Sequence, residues 1–142
     1  MLGDGQAAED VAQEAFVRLI QSQNEFAADV DERALVAWVY RTTTRLALDA
    51  LRERKRRGGA ADDVDALPCG VGMDMAIEAK RAIASLSDQT PREELEAAVF
   101  CRVDGLSQPE VAALLDVSER TVRRLLDRFD DRTRALREEH RQ

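Results

Sequence analysis

Residues 105–128, Gly-Leu-Ser-Gln-Pro-Glu-Val-Ala-Ala-Leu-Leu-Asp-Val-Ser-Glu-Arg-Thr-Val-Arg-Arg-Leu-Leu-Asp-Arg, carry the punctuation of a helix-turn-helix. Ser107 is placed to cap a helix, Glu110 three residues on completes a capping box, and Pro109 sits in the first turn, where a missing N–H costs little. Val111, Ala112, Leu114 and Leu115 form an apolar stripe at helical spacing. Asp116-Val117 makes the turn and Ser118 opens a second helix. That helix turns Val122, Leu125, Leu126 and Phe129 inward, leaving Glu119, Arg120, Arg123, Arg124 and Arg128 outside. A helix of this kind fits the DNA major groove, its first turn at the base edges and its later arginines on the backbone.

Composition extends the helical reading to the whole chain. Charged residues are 35% of 142 and aromatics 4%, with Ala, Leu, Arg and Glu abundant, which predicts an all-α protein. Two small helical domains are expected: 1–57, a linker over 58–73, and 74–142, the second containing the helix-turn-helix. The linker is read as flexible and acidic from its Gly, Ala, Asp and Pro content. No apolar run approaches the roughly 20 residues of a membrane span, and no signal peptide opens the sequence, so a cytoplasmic protein is expected. Cys69 and Cys101 stand in unrelated contexts, and His140 is the single histidine. No zinc-ligand spacing and no nucleophile–base set results, and the expectation is two reduced thiols, no metal, no cofactor, no small-molecule substrate and no enzymatic activity.

Net charge is −7, but it is sorted along the chain. Residues 1–32 hold one basic and eight acidic residues, whereas residues 33–57 hold eight basic and two acidic. Residues 106–142 balance at eight against eight. Neighbouring helices of opposite sign imply two partners for two faces. A first helix over 8–22 places Val11, Ala15, Phe16, Leu19 and Ile20 on one face. A polar loop over 23–31 follows, and then a long helix from about Asp31 to Arg56, with a core stripe of Leu35, Val39, Thr42, Leu46 and Ala50. On that helix Arg41, Arg45, Arg52 and Arg56 share a sector beside the stripe, with Trp38 at its border. A shorter helix near 74–86 comes next. Thr90-Pro91-Arg92-Glu93 reads as a second capping box, opening a helix through Val103.

Two groups of words, in order across the linker, resemble one family. They are Ala8-Glu9-Asp10-Val11-Ala12-Gln13-Glu14-Ala15-Phe16-Val17-Arg18-Leu19, Ala37-Trp38-Val39-Tyr40-Arg41 and Arg45-Leu46-Ala47-Leu48-Asp49-Ala50-Leu51-Arg52 in the first half. Glu96-Ala97-Ala98-Val99-Phe100 and Gly105–Leu126 follow in the second. The chain resembles the extracytoplasmic-function (ECF) group of sigma-70 factors, two-domain promoter-recognition subunits of bacterial RNA polymerase. The resemblance implies that Asp10, Gln13, Glu14 and Arg18 dock on core polymerase. It implies that Trp38, Arg41, Arg45, Arg52, Arg54, Lys55 and Arg56 grip and open the downstream promoter element, with Asn24 and Phe26 near a flipped base. It implies that Ser118, Glu119, Arg120, Thr121, Arg123 and Arg124 read the upstream element while Arg128 supports the backbone contact. Core RNA polymerase and promoter DNA are the implied partners, with an anti-sigma factor as a further one. On this reading the first helix of region 2 is lacking, and glycine positions of the family are held by Asp116 and Arg120. Asp127, Asp130 and Asp131 interrupt a stretch that is usually basic. Two alternatives stay open: a sigma-like decoy for an anti-sigma protein, and a helix-turn-helix regulator that acts without polymerase.

Overall fold

The computed structural model describes residues 5–22, 31–58 and 73–142, with only the backbone of residues 5, 7 and 73–76. The readings at Asn24, Phe26 and Cys69, and all of the linker but its two ends, lie outside the described residues. Those residues form six α-helices and no strand: α1 (Gly5–Gln21), α2 (Glu32–Arg56), α3 (Met73–Leu86), α4 (Arg92–Ala98), α5 (Gln108–Leu115) and α6 (Glu119–Arg141). A π-helical turn, Val99–Val103, continues α4. None of these helices is long and apolar enough to cross a membrane.

Local chemistry explains three of the helix starts. The Asp31 carboxylate accepts from the Arg33 amide to open α2. Ser107 Oγ accepts from the Glu110 amide while the Glu110 carboxylate accepts from the Ser107 amide, so the capping box is closed in both directions. These bonds hold the Glu110 carboxyl below its ordinary range. Ser118 Oγ accepts from the Thr121 amide at the head of α6. The Thr90 expectation is corrected: Pro91 is the cap of α4 and makes no side-chain cap bond, and the Thr90 hydroxyl is buried without a partner. α1 starts at Gly5, so Glu9 and Asp10 lie past its first turn.

Between α5 and α6, Asp116 takes the left-handed conformation (φ 55°, ψ 48°). Its Cβ makes that conformation costly, which glycine avoids. Asp116→Gly is therefore expected to stabilise the fold by about 0.5–1 kcal/mol, after the larger unfolded-state entropy of glycine is subtracted. A rise in the urea midpoint at unchanged m-value would register it, and a lower midpoint would contradict it.

α4 is the hub. Every residue from Glu94 to Phe100 is buried, and the helix divides its side chains between two apolar clusters. Ala97 and Phe100 join Val111, Ala112, Val122, Leu125 and Leu126 in the helix-turn-helix core. Leu95, Ala98 and Val99 join Ile83, Ala84 and Leu86 of α3, Phe129 of α6, and Leu48 and Leu51 of α2. The second cluster thus spans both halves of the chain.

The α2 stripe is displaced from its expected phase. Its buried residues are Thr44, Ala47, Leu48 and Leu51, whereas Leu35 and Val39 are exposed and Thr42, Leu46 and Ala50 are half-buried. Apolar residues surround this helix, so the partner selects which ridge is buried. Among the described side chains of α1 only Ala15 is buried, with Val11 and Leu19 half-buried; Phe16 and Ile20, expected inside, are 65% and 64% exposed. Among the described residues α1 packs mainly on α2, which covers one side of it.

Candidate nucleic-acid and protein interfaces

Three surfaces emerge from this scaffold. The first is the recognition helix. Burial of Val122, Leu125, Leu126 and Phe129 fixes the rotation of α6 and leaves Glu119, Arg120, Arg123, Arg124 and Arg128 exposed. None of these four arginines is ion-paired among the described residues. Ser118 and Thr121 are bound to each other through their hydroxyls as well as by the cap, so both serve the helix start first. Asp130 is taken up internally: Arg102 donates to its two oxygens at 2.8 and 3.0 Å. That fork pushes the Arg102 guanidinium pKa further up. Asp131 pairs with Arg134 at 3.3 Å. The acidic residues that interrupt the basic stretch are therefore largely used to hold α6 and its neighbours.

The second surface is the cationic side of α2, where the structure departs most from an open stripe. Arg45 Nε donates to Glu96 Oε1 at 2.9 Å, and the Glu96 side chain is 3% exposed. Arg52 donates to the carbonyls of Ser87 (2.7 Å) and Thr90 (3.0 Å), just past the end of α3. Lys55 donates to the Ser85 carbonyl and, at 2.8 Å, to the Asp88 carboxylate. This bond from Lys55 is the main cause that lowers the Asp88 pKa. Arg92 of α4 returns the contact, reaching Asp49 of α2 at 2.6 Å. Arg56 pairs within its own helix with Glu53. Arg41, half-buried, holds no ion pair among the described residues. Trp38 and Arg54 are half-buried. The expected row of phosphate-ready cations is thus, at Arg45, Arg52 and Lys55, occupied by the chain's own carbonyls and carboxylates. Sequence spacing placed these residues together, but their partners lie 30–51 positions away.

The third surface is α1. Asp10, Gln13, Glu14 and Arg18 are all exposed, and Arg18 donates to Glu14 at 3.2 Å across one turn. Phe16, Val17 and Ile20 share this outer side. Sequence reading missed them by assigning two of the three to the core. Their exposure beside carboxylates makes a mixed apolar and acidic face, the composition of a protein-docking surface.

Comparison with known proteins follows the same division. Residues 1–57 match the model of sigma-70 region 2, and residues 88–137 match that of a homeodomain-like domain. The ECF RNA polymerase sigma factor SigE of Mycolicibacterium smegmatis is 33% identical over 132 residues, covering 89% of this chain and 50% of its own length. The ECF RNA polymerase sigma-E factor of Escherichia coli is 31% identical over 128 residues, covering 80% of this chain and 65% of its own. The ECF RNA polymerase sigma factor SigW of Bacillus subtilis is 42% identical over 55 residues, covering 39% of this chain and 28% of its own. The chain belongs to the ECF group of the sigma-70 family. It spans about half the length of the M. smegmatis relative. No solved structure gives a significant match. The all-α, two-domain sigma architecture accommodates both family matches, with the shared α2–α3–α4 core lying between them.

Proposed function

We propose that this ECF-family chain is a promoter-specificity factor, active in the cytoplasm as a subunit of RNA polymerase and without chemistry of its own. Its domains follow the division 1–57, 58–73 and 74–142. The observation that carries the reading is the exposed Arg120/Arg123/Arg124/Arg128 row on α6, unpaired among the described residues and rotated outward by a fully buried opposite face. A helix in this state offers its N-terminal turn to base edges and its later cations to phosphates. The face of α1 supplies the protein contact: Asp10, Gln13 and Glu14 suit a basic groove, and Phe16, Val17 and Ile20 add the desolvated centre such a contact needs. α2 supplies Arg41, Arg45, Arg52, Arg54, Lys55 and Arg56 for the downstream element, with Trp38 as a stacking ring for an unpaired base. An anti-sigma protein would compete for these same faces. A decoy without DNA contact gains little from α6, because Asp130 and Asp131 face cations of this chain.

The test is reconstitution with core RNA polymerase on a fragmented genomic template, scored for discrete transcript starts. Arg123→Ala/Arg124→Ala should weaken upstream-duplex binding at least tenfold, at about 1–3 kcal/mol for each arginine that reads a base, and leave polymerase capture intact. Asp10→Ala/Gln13→Ala should do the opposite. If the two pairs of substitutions exchanged effects, or no discrete start appeared with any core enzyme, the reading would fail.

A further inference from the structure

Of the three acidic residues that interrupt the basic stretch of α6, Asp127 is the one the fold leaves unused. Arg102 takes both oxygens of Asp130, and Arg134 takes Asp131. Asp127 is exposed and holds no hydrogen bond or ion pair among the described residues. It acts on Arg102 only through space, and the Arg102 fork is filled by Asp130. Arg123 and Arg124 stand four and three residues before it, within reach on a helix, yet neither pairs with it. The buried face of Val122, Leu125, Leu126 and Phe129 fixes where Asp127 points. At about 100° per residue, Arg120, Arg124 and Asp127 lie within about 30° of the line directly opposite the centre of that face. Arg123 and Arg128 lie about 70° to either side of the same line. The ridge that points straight away from the core therefore carries a carboxylate between exposed, unpaired arginines. Asp131 shares the ridge one turn later, where Arg134 holds it.

We propose that Asp127 is a base-specificity determinant, its carboxylate accepting a hydrogen bond from the exocyclic amine of a cytosine on the floor of the major groove. The proposal rests on the assignment of α6 as the helix that reads the upstream duplex. With that helix in the groove, Arg123 and Arg128 on its flanks meet the phosphates of the two walls, and the central ridge meets base edges. Arg120, Arg124 and Asp127 span about 10 Å of helix axis, close to three base-pair steps. A carboxylate has no donor, so it fits only a base that offers one. In the major groove cytosine offers its N4 amine and adenine its N6 amine, whereas guanine and thymine present acceptors. Adenine also sets the N7 acceptor beside its amine, which repels a carboxylate, and cytosine does not. Cytosine is thus the base that fits, and its partner guanine offers O6 and N7 to Arg124, one turn before Asp127. Guanine or thymine at that position leaves a desolvated carboxylate against lone pairs, which is costly. Asp127 in this way lowers binding to most sequences and sharpens the choice among them.

The experiment uses the full chain bound to core RNA polymerase and a library of randomised DNA duplexes, the bound sequences being recovered and counted at one salt concentration. The wild-type chain is compared with Asp127→Ala, Asp127→Asn, Asp131→Asn and Arg123→Ala/Arg124→Ala. Asp131→Asn removes the same charge one turn further along the ridge, so it isolates a general relief of repulsion. Wild type should prefer cytosine at one position inside the block that Arg123→Ala/Arg124→Ala disturbs. The preference over guanine or thymine should be about fivefold or more, in keeping with the cost of one mismatched base pair. Asp127→Ala should level that position and no other. Asp127→Asn, which sets a donor beside its acceptor, should admit adenine there. Asp131→Asn should leave every preference in place. If Asp127→Ala raises the binding of all sequences alike, or leaves the cytosine preference intact, the carboxylate reads no base. The proposal is then refuted while the assignment of α6 stands. Loss of an adenine preference in place of a cytosine preference would overturn the choice of base. If no sequence is preferred, or Arg123→Ala/Arg124→Ala leaves the preferences unchanged, the assignment of α6 fails and the proposal falls with it.

Discussion

Truncating Leu48 to alanine is expected to cost about 2–5 kcal/mol and to loosen both halves of the chain together. The magnitude follows from burial: Leu48 is fully buried, and its deletion removes transfer free energy and leaves a cavity that rigid helices fill poorly. The joint effect follows from position. Leu48 sits on α2, but its cluster is built from α3, α4, Val99 and Phe129 of α6. Against the roughly 5–15 kcal/mol of a typical small protein, such a loss takes a large part of the margin. Amide exchange along α6 and along α2 should accelerate to a similar extent. Phe16→Ala, at an exposed position, should change the unfolding free energy in urea by no more than about 0.5 kcal/mol. If Leu48→Ala released α2 and left α6 protected, the two halves would not share a core.

What could be read from the sequence divides by the range of the interaction that decides it. The helix-turn-helix was legible almost residue by residue because each of its signals is local. Ser107 and Glu110 are three apart, as are Ser118 and Thr121, and the buried face of α6 recurs at helical spacing. α2 was legible as a helix, Asp31 cap included, but its buried face was not. Apolar side chains lie on most of its circumference, and Thr44, Ala47, Leu48 and Leu51 are buried because α3 and α4 press there. Thr90 carried a cap signature, yet Pro91 caps the helix and the Thr90 carbonyl is taken by Arg52. The sorting of charge was visible as two blocks of opposite sign. Its local use was not, since Arg45 meets Glu96 across 51 positions and Arg102 meets Asp130 across 28. Those carboxylates look like defects in a basic surface until the fold brings cations to them. α1 failed in the other direction. A stripe containing Phe16 and Ile20 reads as core, and only the packing of α1 shows that, among the described residues, this side of it is exposed.

The asymmetry of the two buried carboxylates leads to the other large effect. Glu94 and Glu96 have side chains only 3% exposed, while their partners, Arg132 and Arg45, are 40% and 49% exposed. Arg132 Nε donates to Glu94 Oε2 at 2.7 Å, tying α6 to α4. If Glu94 is neutralised, the arginine turns to water at small cost. If the arginine is removed, the carboxylate stays inside without its counter-charge, a loss of about 3–5 kcal/mol where burial is deep. Arg132→Ala should therefore destabilise the chain far more than Glu94→Gln, and Glu94→Gln placed in the Arg132→Ala background should restore at least half of the loss. Arg134→Ala, which breaks a pair that is 70% and 71% exposed, should cost no more than about 0.5 kcal/mol. Urea unfolding of the four proteins separates burial from charge counting. Equal losses at Arg132 and Arg134, or no rescue by Glu94→Gln, would mean that α4 relaxes enough to hydrate Glu94. The hub of the fold would then be softer than its packing implies.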